Sequence, residues 1–157
     1  MKMKVEYINP FIEASKSIIN QLTGLNPSLG KVYIKSVPYK GDNVVVIIGL
    51  TGTIQGNVVI SFRRTLACKI ASTMMMGMPV SELDEMAKSA IAELCNMILG
   101  KTASIFSQNN LDINITPPTI LIGEKMELTT SKAVIICIPL DFGNDDIMEI
   151  DISYREN

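Results

Sequence analysis

An α+β domain, with helices packed against an antiparallel or mixed sheet, is the fold class predicted by this chain. Hydrophobic spacing changes from helical to alternating near residue 31, a long helical pattern returns after residue 81, and short apolar runs broken by Gly, Pro, Asn and Asp fill the segment from residue 112 onward. The order is helix, three strands, two helices, then three or four strands. Both halves place a helix before strands, which raises an internal pseudo-two-fold repeat. Residues 1–157 suit one domain with one core.

Asn9-Pro10 predicts the first helix start, Asn as cap and Pro at the first helical position, with Phe11, Ala14, Ile18 and Leu22 at helical spacing and Gly24 as the stop. Val32, Ile34 and Ser36 then oppose Tyr33, Lys35 and Val37 in a strand that ends in the turn Lys40-Gly41-Asp42-Asn43. Val44 to Leu50 is continuously apolar, as in a strand covered on both faces, and Asn57 to Arg63 completes an antiparallel meander. Thr65 to Met76 has helical composition and stops at Gly77 and Pro79. Ser81-Glu82-Leu83-Asp84 fits a capping box that opens a helix to about Ser107. Asp112 to Ile122 supplies one or two short strands around Pro117-Pro118. Ala133 to Leu140 supplies another, and Gly143-Asn144-Asp145-Asp146 turns into the last. There Met148, Ile150, Ile152 and Tyr154 oppose Glu149, Asp151, Ser153 and Arg155, which predicts one wet face.

Composition narrows the function. Net charge is −2 and pI is near 5.2, so the surface offers phosphate backbones no general attraction and nucleic acid is not an expected partner. No run approaches the roughly 18 apolar residues of a membrane span, and the N-terminus lacks the apolar core of a secretory signal, so a cytoplasmic protein is expected. Cys68, Cys95 and Cys137 are far apart, and there is no histidine to complete a typical zinc site. They read as reduced, buried, small hydrophobes. Met74-Met75-Met76 and Met78 read as core filling at a helix end. Lys16, Arg63 and Arg64 read as solvated charges, and Asp145-Asp146 as part of a turn.

The long helix carries the functional signal. At about 100° per residue, Leu83, Ala87, Ala90, Ile91, Leu94, Ile98 and Ile105 fall in one core-facing stripe. Glu93 and Asn96 lie about 60° apart on the far side, beside Ser89, Gly100, Ser104 and Ser107. Small neighbours leave room for another surface. A helical glycine costs about 1 kcal/mol relative to alanine, so close approach of another backbone accounts for Gly100 better than propensity. The spacing alone also fits two ordinary surface residues, and it recurs at Glu6 to Asn9, where Asn9 reads as the cap.

The run Leu83-Asp84-Glu85-Met86 followed by Ala90-Ile91-Ala92-Glu93-Leu94-Cys95-Asn96-Met97-Ile98-Leu99-Gly100 resembles the signature helix of the CheC/CheX/FliY family of bacterial chemotaxis phosphatases, nearest its CheX branch. Gly49 to Gly56 before Val58-Val59-Ile60-Ser61-Phe62, and Asn9-Pro10-Phe11-Ile12, carry the likeness through nearly the whole chain. CheC-like members have a second such pair on the first helix; here Glu13 is followed at that spacing by Lys16, so the chain resembles the single-sited members.

The resemblance implies a phosphatase acting on the phosphoaspartate of a CheY-like response regulator. In that reading Asn96 orients the attacking water and Glu93 docks the regulator's lysine. Ser89 and Gly100 face the partner. No cofactor or metal is held by this chain, Mg²⁺ being expected on the regulator. The resemblance also implies a homodimer formed through the sheets, with the C-terminal strand as a contributor. A binding module that senses phosphorylation without hydrolysis, and a scaffold domain, are the alternatives.

Overall fold

The structure is a computed structural model and describes residues 4–131 and 134–156. Its elements are helices α1 (Val5–Thr23), α2 (Arg64–Met74) and α3 (Glu85–Gln108), and strands β1 (Ser28–Leu29), β2 (Tyr33–Ser36), β3 (Tyr39–Lys40), β4 (Val44–Gly52), β5 (Ile54–Phe62), β6 (Ile113–Ile115), β7 (Thr119–Ile122), β8 (Glu127–Leu128), β9 (Val134–Asp141) and β10 (Ile147–Glu156). Ala133, expected to begin the strand now seen as β9, lies outside the described residues. The α+β expectation holds, and every strand pairing among the described residues is antiparallel.

The main sheet runs β1-β9-β10-β5-β4-β6, with β2 beside β1 on β9 and β7 beside β6 on β4, while β3 and β8 form a separate ribbon. This arrangement has a pseudo-two-fold axis. β5 and β10 pair across it, β3 and β8 pair across it, and the pairing of β1 and β2 with β9 mirrors that of β6 and β7 with β4. The meander expectation is corrected: β4 and β5 form a hairpin, but β2 joins β9 from the other half.

Each half contains the same irregularity. Ile115 pairs Leu50 and Thr119 pairs Ile47, so three residues, 116–118, face two, 48–49. Leu29 pairs Leu140 and Tyr33 pairs Cys137, so residues 30–32 likewise face 138–139. Both are one-residue bulges, which bend a strand and re-aim its side chains. Proline is compatible with such a position because it needs no ladder partner for a missing N–H.

Helices α1 and α3 pack together, and the core joins their buried stripes to the inner sheet face, from Val44, Val46 and Ile48 through Ile60 to Ile138, Ile150 and Ile152. Burial also explains where α1 begins. It starts at Val5, with Lys4 rather than Asn9 at the cap position and Pro10 inside. Extending the helix upstream of Pro10 buries Tyr7 and Ile8, and the Tyr7 ring lies 6.2 Å from Phe106 and 5.7 Å from Tyr154. Burying a ring in such pairs outweighs one absent backbone hydrogen bond. The Ser81 capping box is also corrected. Asp84 is the N-cap of α3, its Oδ1 accepting from the Ala87 N–H at 2.9 Å, which places Leu83 against the core.

The outer sheet face departs from the wet face expected of the last strand. Asp151 and Ser153 are buried, together with Val45, Val59, Ile135 and Cys137 on the same side. The β3–β8 ribbon lies over this face, with Leu128 and Val45 both against Gly41. Lys35 forms an ion pair with Glu149 and donates to Asp151 Oδ2 at 3.1 Å, while Tyr33 donates to Glu149 at 3.0 Å and the Lys35 ammonium lies 4.8 Å from the Tyr39 ring centre. Alternation marked the two faces correctly, but a covered ion cluster takes the place of water on one of them.

Candidate active site

Helix α3 builds one side of the site. Ala87, Ile91, Leu94, Cys95, Ile98, Leu99, Thr102, Ile105 and Phe106 are buried, a stripe wider than predicted because Cys95 and Leu99 join it. On the opposite side Met86, Ser89 and Glu93 are exposed, and Asn96 is half-buried. The three-residue interval separates Glu93 and Asn96 by about 4.5 Å along the axis and about 60° around it. Among the described residues neither the Glu93 carboxylate nor the Asn96 carboxamide has a hydrogen-bond or ion-pair partner, so both retain their polar capacity for an incoming group.

The β6–β7 bulge builds the facing wall. Ser89, Ala92, Glu93 and Asn96 from α3 and Ile115, Thr116, Pro117 and Pro118 from the bulge line an open cleft of about 470 Å³. The bulge opposite Asn96 accounts for its partial burial. Two successive prolines offer no N–H donors, so on this wall they present carbonyls and ring carbons. The carboxamide supplies both a donor and an acceptor, and the carboxylate a strong acceptor. Such a cleft can hold a water and a cationic side chain against a phosphorylated surface.

Ser89, Glu93 and Asn96 are thus brought together as predicted, whereas Gly100 does not line the cleft. A Cβ built on Gly100 meets nothing within 4 Å, so among the described residues no other element approaches it. Sequence reasoning missed the Thr116–Pro118 wall. Its available signal was a Pro-Pro pair inside a strand-like run, a pattern that favours a bulge.

The structure revises Glu6 and Asn9. Asn9 is inside α1, not at its cap, so Glu6 and Asn9 are a second helical pair, both exposed. Their hollow is completed by Pro10, Glu13, Ile105, Asn109 and Leu111, without a strand wall. Next to the pseudo-equivalent bulge, Val5, Ile8, Asn9 and Ile12 meet Val32 in a mostly apolar notch.

The cysteines carry no accessible chemistry near the cleft. Burial pushes the Cys95 thiol up to about 12, so it stays protonated at neutral pH. Cys137 is buried and donates to Glu149 Oε2 at 3.1 Å, while Cys68 is half-buried. Ligand atoms of Cys137, Glu149 and Asp151 lie within 4.8 Å of one another, but the Lys35 ammonium, with one close contact to each carboxylate, already supplies a cation there. The core-filling expectation for the methionines is corrected. Met76 is 98% exposed and Met78 is exposed, because the chain leaves α2 through a turn with positive φ at Met76 and Gly77. Only Met74 of this group packs against the core. Asn144 and Asp145 occupy the expected turn, both at positive φ.

The family model described as chemotaxis phosphatase CheX matches residues 44–141. The CheY-P phosphatase CheX of Thermotoga maritima is 33% identical over 153 residues, covering 98% of this chain and 98% of its own. Among solved structures, the CheX–CheY–BeF3–Mg²⁺ complex from Borrelia burgdorferi matches with a TM-score of 0.80 and 28% identity, over 98% of this chain and 100% of that one. Chemotaxis protein CheX from Vibrio vulnificus shares the fold, with a TM-score of 0.84 and 23% identity over 96% of this chain and 100% of that one. No helix of the described residues is long and apolar enough to cross a membrane.

Proposed function

The chain belongs to the CheX family of chemotaxis phosphatases, and we propose that it dephosphorylates the phosphoaspartate of a CheY-like response regulator, with Asn96 orienting the attacking water and Glu93 docking the regulator's active-site lysine. The observation that carries these roles is the cleft itself. The two unpartnered polar groups of α3 face it from one helix, about one turn apart, opposite a wall without proline N–H donors.

Hydrolysis requires a water in line with the bond from phosphorus to the aspartate oxygen. The water oxygen bonds to phosphorus, the phosphorus–carboxylate bond breaks, and the aspartate carboxylate and inorganic phosphate separate, with the water proton passing to phosphate or solvent. The Asn96 carboxamide accepts from that water and donates to a phosphoryl oxygen without having to titrate. Glu93, nearer the helix N-terminus, accepts a charge-assisted hydrogen bond from the lysine and fixes the register. Mg²⁺ would belong to the regulator in this reading, where it would neutralise charge on the phosphoryl group. Phosphoaspartate hydrolyses unaided, so a hundredfold acceleration requires only about 2.7 kcal/mol.

Ser89 borders the cleft beside Glu93 and forms part of the docking face; Gly100 lies farther along it. The homodimer proposal is redirected. β10 lies inside the sheet, paired with β5 over Glu149–Glu156 and with β9 over Ile147–Ile152, whereas β1 and β2 present Leu29, Tyr33 and Ile34 exposed at the border of the sheet. That border is the one we assign to self-association. The functional test compares phosphate loss from a phosphorylated CheY-like receiver domain, with Mg²⁺, in the absence and presence of this protein. Binding without acceleration would instead identify a non-catalytic sensor.

A further inference from the structure

We infer that Thr116 is a positioning residue for this hydrolysis: its hydroxyl pins the proline bulge to β4 and so fixes the wall against which Asn96 presents its carboxamide. The inference rests on the functional reading above. Thr116 holds the bulge through both backbone and side chain. Its N–H donates to the Gly49 carbonyl at 3.0 Å, and its Oγ1 accepts from the Gly49 N–H at 2.8 Å. The same hydroxyl donates to the Pro117 carbonyl at 3.3 Å, tying β4 to the first proline of the wall. Pro117 and Pro118 have no N–H with which to hold β4 themselves. A Cβ on Gly49 would sit 3.0 Å from Thr116 Cγ2, so the glycine permits the close approach on which the clamp depends.

The molecule contains its own comparison. At the pseudo-equivalent bulge, Gly30 donates its N–H to the Pro139 carbonyl at 2.9 Å, the counterpart of the Thr116 backbone bond. Gly30 has no side chain, and Pro139 has no N–H that needs an acceptor. The side-chain clamp therefore belongs to the bulge that walls Glu93 and Asn96, and its counterpart lies next to the mostly apolar notch on α1. The bulge bends the strand and re-aims its side chains, and the Thr116 hydroxyl adds a second tie between that bend and β4. Positioning matters because a displacement of about 1 Å can lower a rate on the order of a hundredfold.

Thr116→Val keeps the side-chain shape and removes the hydroxyl; Thr116→Ser keeps the hydroxyl. Both are measured with a CheY-like receiver domain phosphorylated by acetyl phosphate, the maximal dephosphorylation rate and the receiver affinity being determined separately. Thr116→Val is expected to lower the rate by about tenfold with affinity held within about twofold, and Thr116→Ser to keep the wild-type rate. Gly49→Ala, which presses on Thr116 Cγ2, is expected to reproduce the rate loss without an affinity loss. Wild-type turnover in Thr116→Val, equal losses in the Val and Ser variants, or a loss confined to affinity would overturn the assignment. Failure of the wild-type protein to accelerate phosphate loss would overturn the functional reading instead.

Discussion

Asn96 and Glu93 differ in what substitution should remove. Asn96→Ala deletes the group assigned to the water while leaving the buried stripe of α3 intact, so the stimulated rate should fall on the order of a hundredfold with thermal stability nearly unchanged. Glu93→Gln keeps shape and removes charge, and should weaken receiver binding by about tenfold, a loss of the size of one charge-assisted hydrogen bond. A titration that shows unaltered affinity would remove its anchoring role. Gly100→Ala separates intramolecular from intermolecular effects. Open space around Gly100 predicts a gain of about 0.5 to 1 kcal/mol in thermal or chemical unfolding, and a simultaneous loss of receiver affinity would show that a partner backbone approaches there. At this scale the sequence was informative because Glu93 and Asn96 are neighbours on one helix. Thr116 to Pro118 are twenty or more residues away from Asn96, and nothing in the local spacing of either segment announces that they meet.

Elements whose boundaries depend on distant packing were the hardest to locate. Local rules favour Asn9 and Ser81 as caps, yet burial of Tyr7 against Phe106 and Tyr154 extends α1, and Asp84 supplies the working cap of α3. Asp84→Ala should therefore destabilise the fold by about 1 kcal/mol, and Ser81→Ala much less, as denaturant midpoints can show. In β10 the two-residue period was legible, but a covering ribbon from elsewhere in the chain was not. The covered cluster gives a pH prediction. Burial works against the Lys35 ammonium, but Asp151 and Glu149 reverse that and hold its pKa above the ordinary lysine value. Its contribution is thus present below the unfolded-state value and lost as pH rises through the folded one. Asp151 is raised, burial outweighing its attraction to Lys35; Glu149 is lowered, Lys35 and its other partners overcoming burial. Lys35→Met leaves both carboxylates without their cation and should cost about 3 kcal/mol at neutral pH. The deficit should shrink on acidification as the carboxylates protonate; an equal deficit at pH 4 and pH 8 would contradict an electrostatic origin.

The whole molecule is a pseudo-symmetric frame with unlike chemistry at its two bulges. Helix-then-strands order along the chain already points to the repeat, and the strand pairings establish its symmetry. The difference between halves resides in a few side chains: Glu93, Asn96, Thr116 and the two prolines on one side, and Ile8, Ile12, Val32 and Gly30 on the other. Self-association through β1 and β2 would leave the α3 cleft of each copy on a different element, so charged substitution of Ile34 should lower the sedimentation mass without lowering the rate per subunit. The catalytic role of the cleft is decided by the time course of phosphate loss from a phosphorylated CheY-like receiver domain with Mg²⁺, using wild-type protein and Asn96→Ala at equal occupancy. Rapid loss is expected with wild type, and a near-spontaneous rate with Asn96→Ala bound to the same extent. Equal acceleration by the two proteins would show that the carboxamide does not orient the water.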